Sequence, residues 1–257
     1  MTLGAGSCGR GEGVGCQAPV GIVTGGLSGI GAAAAVEFAR LGARMVLVGH
    51  ETGRDANVVG RVREYGGEAL IETADVRDAV AQEAVARRAL AEWGRIDFLL
   101  ANAGISEQGR VAEGDPARWR AVVETNLLGA MYSCRAVLPT MLVQQWGHIF
   151  ITSSVSGREA YAGEAVYSAT KSGLIGFGHA LRLELLNTGV RVTIIEPGLV
   201  DTPLIRDNPT VRPLLEAGEP LSPLDVARAI VYAFQQPAHV ALSEIVIRPR
   251  DQRLPEL

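Results

Sequence analysis

The sequence predicts an α/β domain: one doubly wound parallel sheet with helices on both faces. Three observations predict it. Short apolar runs alternate with helical patterns along nearly the whole chain, the connections between them are short, and a glycine-rich turn separates the first strand from the first helix. The chain has 257 residues, of which 47% are apolar and 20% charged, enough for one large core and no second domain. A net charge of −4 argues against general nucleic-acid binding. No apolar run is long enough to span a bilayer, and the N-terminus lacks a signal-peptide core, so a cytoplasmic protein is expected. Neither the cysteines (Cys8, Cys16, Cys134) nor the histidines (His50, His148, His179, His239) show metal-ligand spacing, so no metal is expected.

Residues 1–17 hold six glycines and almost no large apolar side chains, and read as a mobile tail ahead of a catalytic domain over 18–257. The glycines of 9–15 imitate a phosphate loop, but no strand precedes them. The first strand is Pro19–Thr24, a buried apolar run. Gly25-Gly-Leu-Ser-Gly29-Ile-Gly31 follows, then a helix over 32–41. Glycine permits a tight turn and close backbone approach, and the helix N-terminus offers free N–H groups to a phosphate.

Strands are then expected at 44–49, 68–73, 95–102, 148–153, 190–196 and 241–247. Helices are expected from the end of the second strand to about 65, then at 78–93, 116–145, from Tyr167 to about 187, and at 224–235. In the helix over 116–145, Asn126 and Gly129 weaken the propensity, and Pro139 should bend or break it. The Pro-rich stretch 202–223 is too polar and broken for core and reads as a lid over a pocket.

Within this frame Tyr167-Ser-Ala-Thr-Lys171 stands out. Lys171 is the sole lysine; the other 23 of the 24 Lys+Arg residues are arginine. Positions i and i+4 share a helix face, so phenol and ammonium can point into one cleft. A lysine is a compact point charge with three donors, which arginine's broad fork does not reproduce.

Taken together, Thr24-Gly-x-x-x-Gly-Ile-Gly31, Asp75, Asn102-Ala-Gly104, Asn126, Ser154, Tyr167-x-x-x-Lys171, Pro197-Gly198 and Thr202 resemble the short-chain dehydrogenase/reductase family in its compact single-domain branch, over roughly residues 19–249. The resemblance implies a Rossmann-type fold and an NAD(P)-dependent hydride transfer between a nicotinamide cofactor and a carbonyl or secondary alcohol, as in a ketoreductase. It implies a catalytic tetrad of Asn126, Ser154, Tyr167 and Lys171. Tyr167 would donate a proton to the substrate oxygen, and Lys171 would lower its pKa and bind the nicotinamide ribose. Ser154 would hold the substrate oxygen. Asn126 resembles the family residue that holds a water in a relay to Lys171. Ser154, thirteen residues before Tyr167, fits the family spacing better than Ser153.

The cofactor site it implies comprises Gly25, Leu27, Ser28, Gly29, Ile30, Gly31, His50, Arg54, Asp75, Val76, Asn102, Ala103, Gly104, Tyr167, Lys171, Pro197, Gly198, Val200 and Thr202. For Asp75, capping of the following helix is the competing role. No acid ends the second strand to bind a ribose 2′-hydroxyl; His50 stands where NADP users of the family often carry arginine, and Arg54 follows one turn on. NADP(H) is therefore favoured, with NAD(H) the alternative. Substrate contacts are expected from Ser154, Ser156, Tyr161, Tyr167, Leu204 and Ile205. Arg158, Arg206 and Arg212 read as solvated surface arginines, with binding of a carboxylate or phosphate as the alternative. The partner is a small carbonyl or alcohol. A homodimer or homotetramer is implied by the family, through helices carrying Leu174, Ile175 and Phe177, unless these only pack on the sheet. Two rival functions remain at this point: a cofactor-retaining epimerase or dehydratase, and a non-catalytic dinucleotide-binding regulator.

Overall fold

The computed structural model describes residues 17–49, 56–208, 210–216 and 218–252. The expected N-terminal tail apart from Gln17, and His50 and Arg54, lie outside the described residues. The chain order is β1 (Val20–Thr24), α1 (Gly29–Ala39), β2 (Arg44–Gly49), α2 (Ala56–Glu64), β3 (Glu68–Thr73), α3 (Ala79–Trp93), β4 (Phe98–Ala101), α4 (Pro116–Val123), a π-helical turn (Glu124–Leu128), α5 (Gly129–Gln144), β5 (Gly147–Thr152), α6 (Ala165–Glu184), β6 (Val190–Pro197), α7 (Pro203–Arg206), α8 (Pro213–Glu216), α9 (Pro223–Phe234) and β7 (Glu244–Ile247). The strands form one sheet in the order β3-β2-β1-β4-β5-β6-β7, every pair parallel. Strand order reverses between β1 and β4, and the crevice above that point is where ligands bind in such sheets.

The central strands are apolar runs because both their faces are covered. One face packs against α1, α2 and α9, the other against α3, α5 and α6. On the first face Phe38 stacks on Phe98 with centroids 4.0 Å apart, and Phe234 meets both rings edge-on at 5.3 and 5.5 Å. Gly21 makes the stack fit, since a Cβ there would lie 2.1 Å from the Phe98 ring.

Polar groups inside the core are matched to particular partners. His148 is fully buried, with Nε2 2.7 Å from the Thr193 hydroxyl, which itself donates to the Leu242 carbonyl at 2.7 Å. Thr193 is therefore the acceptor, and Nε2 carries the imidazole proton. Burial, aided by nearby Arg191, holds that imidazole neutral, well below its usual pKa. Arg191 donates to the carbonyls of Phe234, Gln236 and Val240 at 3.1 Å, so it sits at the negative end of α9. Cys134 lies in the core on α5, its thiol pushed up to about 12 by burial.

Some details differ from the sequence expectation and others settle it. The fourth strand begins only at Phe98, because Asp97 is occupied as an anchor: its carboxylate pairs with Arg95 and accepts from Val20 N at 2.9 Å. Pro139 does not break α5; it lies on the exposed side, where the carbonyl it leaves unpaired reaches solvent. The irregularity falls where Asn126 and Gly129 were expected to weaken the helix, at the π turn carrying Asn126. Leu174 is core and Phe177 packs against it, so these residues of α6 serve the sheet.

Residues 202–223 leave the sheet between Val200 and Leu221, which form an isolated bridge. Asn208, beyond α7, donates to the Ser106 hydroxyl at 3.2 Å and to the Gln108 side chain. Gly109 N donates in turn to Gly163 O at 2.8 Å. Among the described residues no helix is long and apolar enough to cross a membrane.

Gly21→Ala is expected to destabilise the fold by about 1–3 kcal/mol through overpacking against Phe98. Urea denaturation monitored by circular dichroism measures this, and an unchanged midpoint would refute the tight stack.

Candidate active site

The C-terminal ends of β1, β4, β5 and β6 border an open cleft enclosing about 790 Å³. One wall is the turn after β1. Gly25 and Gly29 have φ of 62° and 51°, in the left-handed region that favours glycine. A Cβ on Gly31 would lie 2.2 Å from the Gly25 carbonyl oxygen. The turn is thus folded against its own helix with no room for side chains. Ser28 precedes α1 without capping it, and no acid stands in the first turn. By contrast Asp78, Asp115 and Ser222 cap α3, α4 and α9 with their side chains. Gly29 and Ile30 at the start of α1 line the cleft, and no side chain caps this helix end, as a phosphate site requires.

The next wall is the loop after β4, held by a residue to which the sequence reading gave no role. Thr24 is buried, and its hydroxyl accepts from Asn102 N at 2.9 Å and Ala103 N at 3.1 Å, while its carbonyl accepts from the Asn102 side chain at 3.2 Å. One side chain thus sutures β1 to β4 at the point where strand order reverses. Its signal in the sequence was only that a threonine opens the glycine motif.

The floor is built from β5 and α6. Lys171 is 4% exposed, and its ammonium donates to the Thr152 carbonyl at 2.9 Å, with Nζ 5.5 Å from the Tyr167 ring centre. Burial lowers its pKa to about 8, so the ammonium stays largely charged at neutral pH. The Tyr167 phenol is pushed up to about 12, first by burial and then by the Glu164 carboxylate; a hydrogen bond with Ser154 opposes them. The expected depression by Lys171 is not found: burial, which disfavours the phenolate, is the main influence. Ser153 turns inward and donates to the Lys171 carbonyl at 2.8 Å, whereas Ser154 faces Tyr167 and accepts from Ser156 N at 3.1 Å.

Asn126 is buried and fully engaged. Its amide accepts from Ile105 N at 2.8 Å, donates to Ile105 O at 2.9 Å, and reaches the Thr170 hydroxyl at 3.3 Å. It pins the loop after β4 to the residue next to Lys171.

The cleft brings together Gly25, Ser28, Gly29, Ile30, Asn102, Ala103, Gly104, Ser154, Tyr167, Lys171, Pro197, Gly198, Val200, Thr202, Leu204 and Ile205. Thr152, Ser153 and Pro203 also line it, though the sequence gave no reason to choose them. Other candidates lie off its wall. Leu27 packs in the core against Gly49, and Val76 against Gly129. Asp75 pairs with Arg77 at 2.6 Å; the cap of α3 is Asp78. Ser156 bonds Glu164 at 3.0 Å. Tyr161 lies beside Glu159 and Arg248, and burial raises its pKa. Arg158 meets carboxylates, but internal ones, Glu196 and Glu244; Arg206 pairs with Asp201 at 2.5 Å; Arg212 is exposed.

Comparison with known proteins agrees with this architecture. The family model for short chain dehydrogenases matches residues 19–211. An uncharacterised oxidoreductase of Staphylococcus saprophyticus is 39% identical over 236 residues, covering 91% of this chain and 98% of its own. The crystal structure of levodione reductase superposes with a TM-score of 0.83 at 27% identity, covering 90% of this chain and 96% of its own. That of a metagenomic short-chain oxidoreductase in complex with NADP gives 0.80 at 31% identity, covering 92% and 99%.

Thr24→Val should leave the Asn102 and Ala103 N–H groups unpaired and cost about 1–3 kcal/mol, while Thr24→Ser restores most of it. Calorimetric melting of both variants checks this; equal loss in the two would assign the effect to packing.

Proposed function

The chain belongs to the short-chain dehydrogenase family, and we propose that within it the protein reduces ketones or aldehydes with NADPH. The observation that carries the reading is the convergence of Ser154, Tyr167 and Lys171 in one cleft, beside a glycine turn whose helix is left uncapped.

The residues present fit a dinucleotide. The turn over Gly25–Gly31 and the open N-terminus of α1 suit its pyrophosphate. Asn102, Ala103 and Gly104 edge the middle of the cleft, and Thr202, with Pro197 and Gly198, stands at the end of β6 to meet the nicotinamide. Lys171 would take the ribose hydroxyls, which a buried ammonium with three donors can do while keeping its bond to Thr152. When bound, the nicotinamide supplies or accepts the hydride.

The chain's own residues handle the oxygen and the proton. Ser154 holds the carbonyl oxygen and orients the phenol. Tyr167 gives its proton to that oxygen as charge develops there. With a pKa near 12 the phenol is protonated at neutral pH, the form that reduction needs. Asn126 acts as a positioning residue through Ile105 and Thr170. Residues 202–223 form a lid that Asn208 fastens across the cleft. His50 and Arg54 bind the 2′-phosphate; this rests on their sequence positions after β2 and on the NADP held by one structural neighbour. A homodimer or homotetramer belongs to the same reading, supported by Leu183 and Leu186, each 56% exposed at the end of α6 and just beyond it.

Tyr167→Phe should lower kcat roughly a hundred- to ten-thousand-fold with binding retained. Lys171→Arg should also cripple turnover despite keeping the charge, because the wider guanidinium does not fit. Depletion of NADPH over a panel of ketones and aldehydes measures both, and near-normal rates in Tyr167→Phe would sink the mechanism.

Fluorescence titration should show NADPH binding about tenfold or more tighter than NADH, with Arg54→Ala narrowing the gap, as loss of one phosphate contact predicts. Equal affinities in the parent protein would refute the NADP preference.

A further inference from the structure

Ser154, Lys171 and Pro197 line the cleft from three different elements: the segment after β5, α6 and the end of β6. One short helical turn, Val155–Gly157, holds them to one another. It starts at Ser154 and ends at Arg158, with Gly157 N donating to the Ser154 carbonyl and Arg158 N to the Val155 carbonyl, each at 2.9 Å. The turn lies against the backbone of α6. A Cβ on Gly157 would be 2.9 Å from the Lys171 carbonyl oxygen, and the Ser172 hydroxyl donates to the Gly157 carbonyl at 2.8 Å.

A charge pair fastens the far end of this turn. Arg158 grips Glu196 with two donors, Nε on one carboxylate oxygen and Nη2 on the other, the latter at 2.8 Å. Glu196 is fully buried on β6 and immediately precedes Pro197, whose carbonyl oxygen lies 3.5 Å from the Ser154 hydroxyl. Turn, guanidinium, carboxylate and proline carbonyl thus close a ring that starts and ends at Ser154. Arg158 Nη2 also donates to Glu244 on β7, which holds the guanidinium from a second side. Arg158 itself is absent from the cleft wall, so it meets no ligand there. A buried pair of this kind adds little net stability over apolar side chains of similar volume, whereas a two-point fork fixes direction as well as distance.

We propose that Arg158 is a positioning residue for the reaction: its fork on Glu196 holds the Ser154 hydroxyl in the place from which it meets the substrate oxygen. The proposal rests on the hydride-transfer reading above.

The test is a double-mutant cycle in kcat, run with NADPH and the ketone or aldehyde that the parent protein reduces fastest. Arg158→Lys keeps the charge and loses the fork. It should lower kcat by about ten- to a hundredfold, as misplacement of up to about 1 Å at the reacting atoms predicts. NADPH affinity by fluorescence titration should stay as in the parent. In a Ser154→Ala background the same substitution should cost nothing further, because the group it positions is gone. Arg158→Met combined with Glu196→Leu replaces the pair by apolar side chains, and should fold and be as slow as Arg158→Lys. Whichever of the two folds carries the test; loss of folding in both would assign the pair to stability and overturn the proposal. Should Ser154→Ala leave no measurable rate, the split between kcat and NADPH affinity decides. A parent-like kcat overturns the proposal, as does an equal fall in the Ser154→Ala background or NADPH binding that weakens in step with kcat. In each of these cases turnover by the parent leaves the hydride-transfer reading standing. Failure of the parent to reduce any ketone or aldehyde, with dinucleotide bound, sinks that reading and this proposal together.

Discussion

The Lys171 ammonium is buried at the cleft floor with the Thr152 carbonyl as its hydrogen-bond acceptor, and among the described residues no carboxylate pairs with it. A buried cation without a counter-ion is costly, as its lowered pKa shows. Such a group persists only where its surroundings are held in place. Here Ser153 ties the end of β5 to the Lys171 carbonyl, and Asn126 ties the neighbouring Thr170 to the loop after β4.

The glycine turn answers a different demand. It must leave the N-terminus of α1 open while lying against β4, and both needs exclude side chains. Thr24 supplies the missing cohesion by holding two backbone N–H groups of the neighbouring loop with one hydroxyl. Where the sheet reverses its strand order there is no adjacent crossover to cover the strand ends, so the suture has to come from a side chain.

Arginine serves the rest of the molecule structurally. Arg191 caps a helix from inside the core, Arg158 neutralises the fully buried Glu196, and Arg206 and Arg248 form ion pairs with Asp201 and Glu159. Delocalised and forked, guanidinium tolerates such partly buried pairing better than ammonium does.

The sequence by itself determined the fold class, a parallel sheet with helices on both faces, and singled out Tyr167–Lys171 and Ser154, because periodicity and motif spacing are local properties of the chain; the strand order came from the structure. It also singled out the one lysine as unusual. It did not foresee that α5 continues through Pro139, which sits on the exposed side, and it left open whether Leu174 and Phe177 meet a partner or pack on the sheet, where they are found. It gave Thr24 no role and could not tell that Arg158 and Arg206 were already paired, since each partner lies on another element or turn. Only the tertiary structure decided the balance of charge in the cleft. Burial and partner geometry shift a phenol and an ammonium by amounts that no residue's identity or spacing contains.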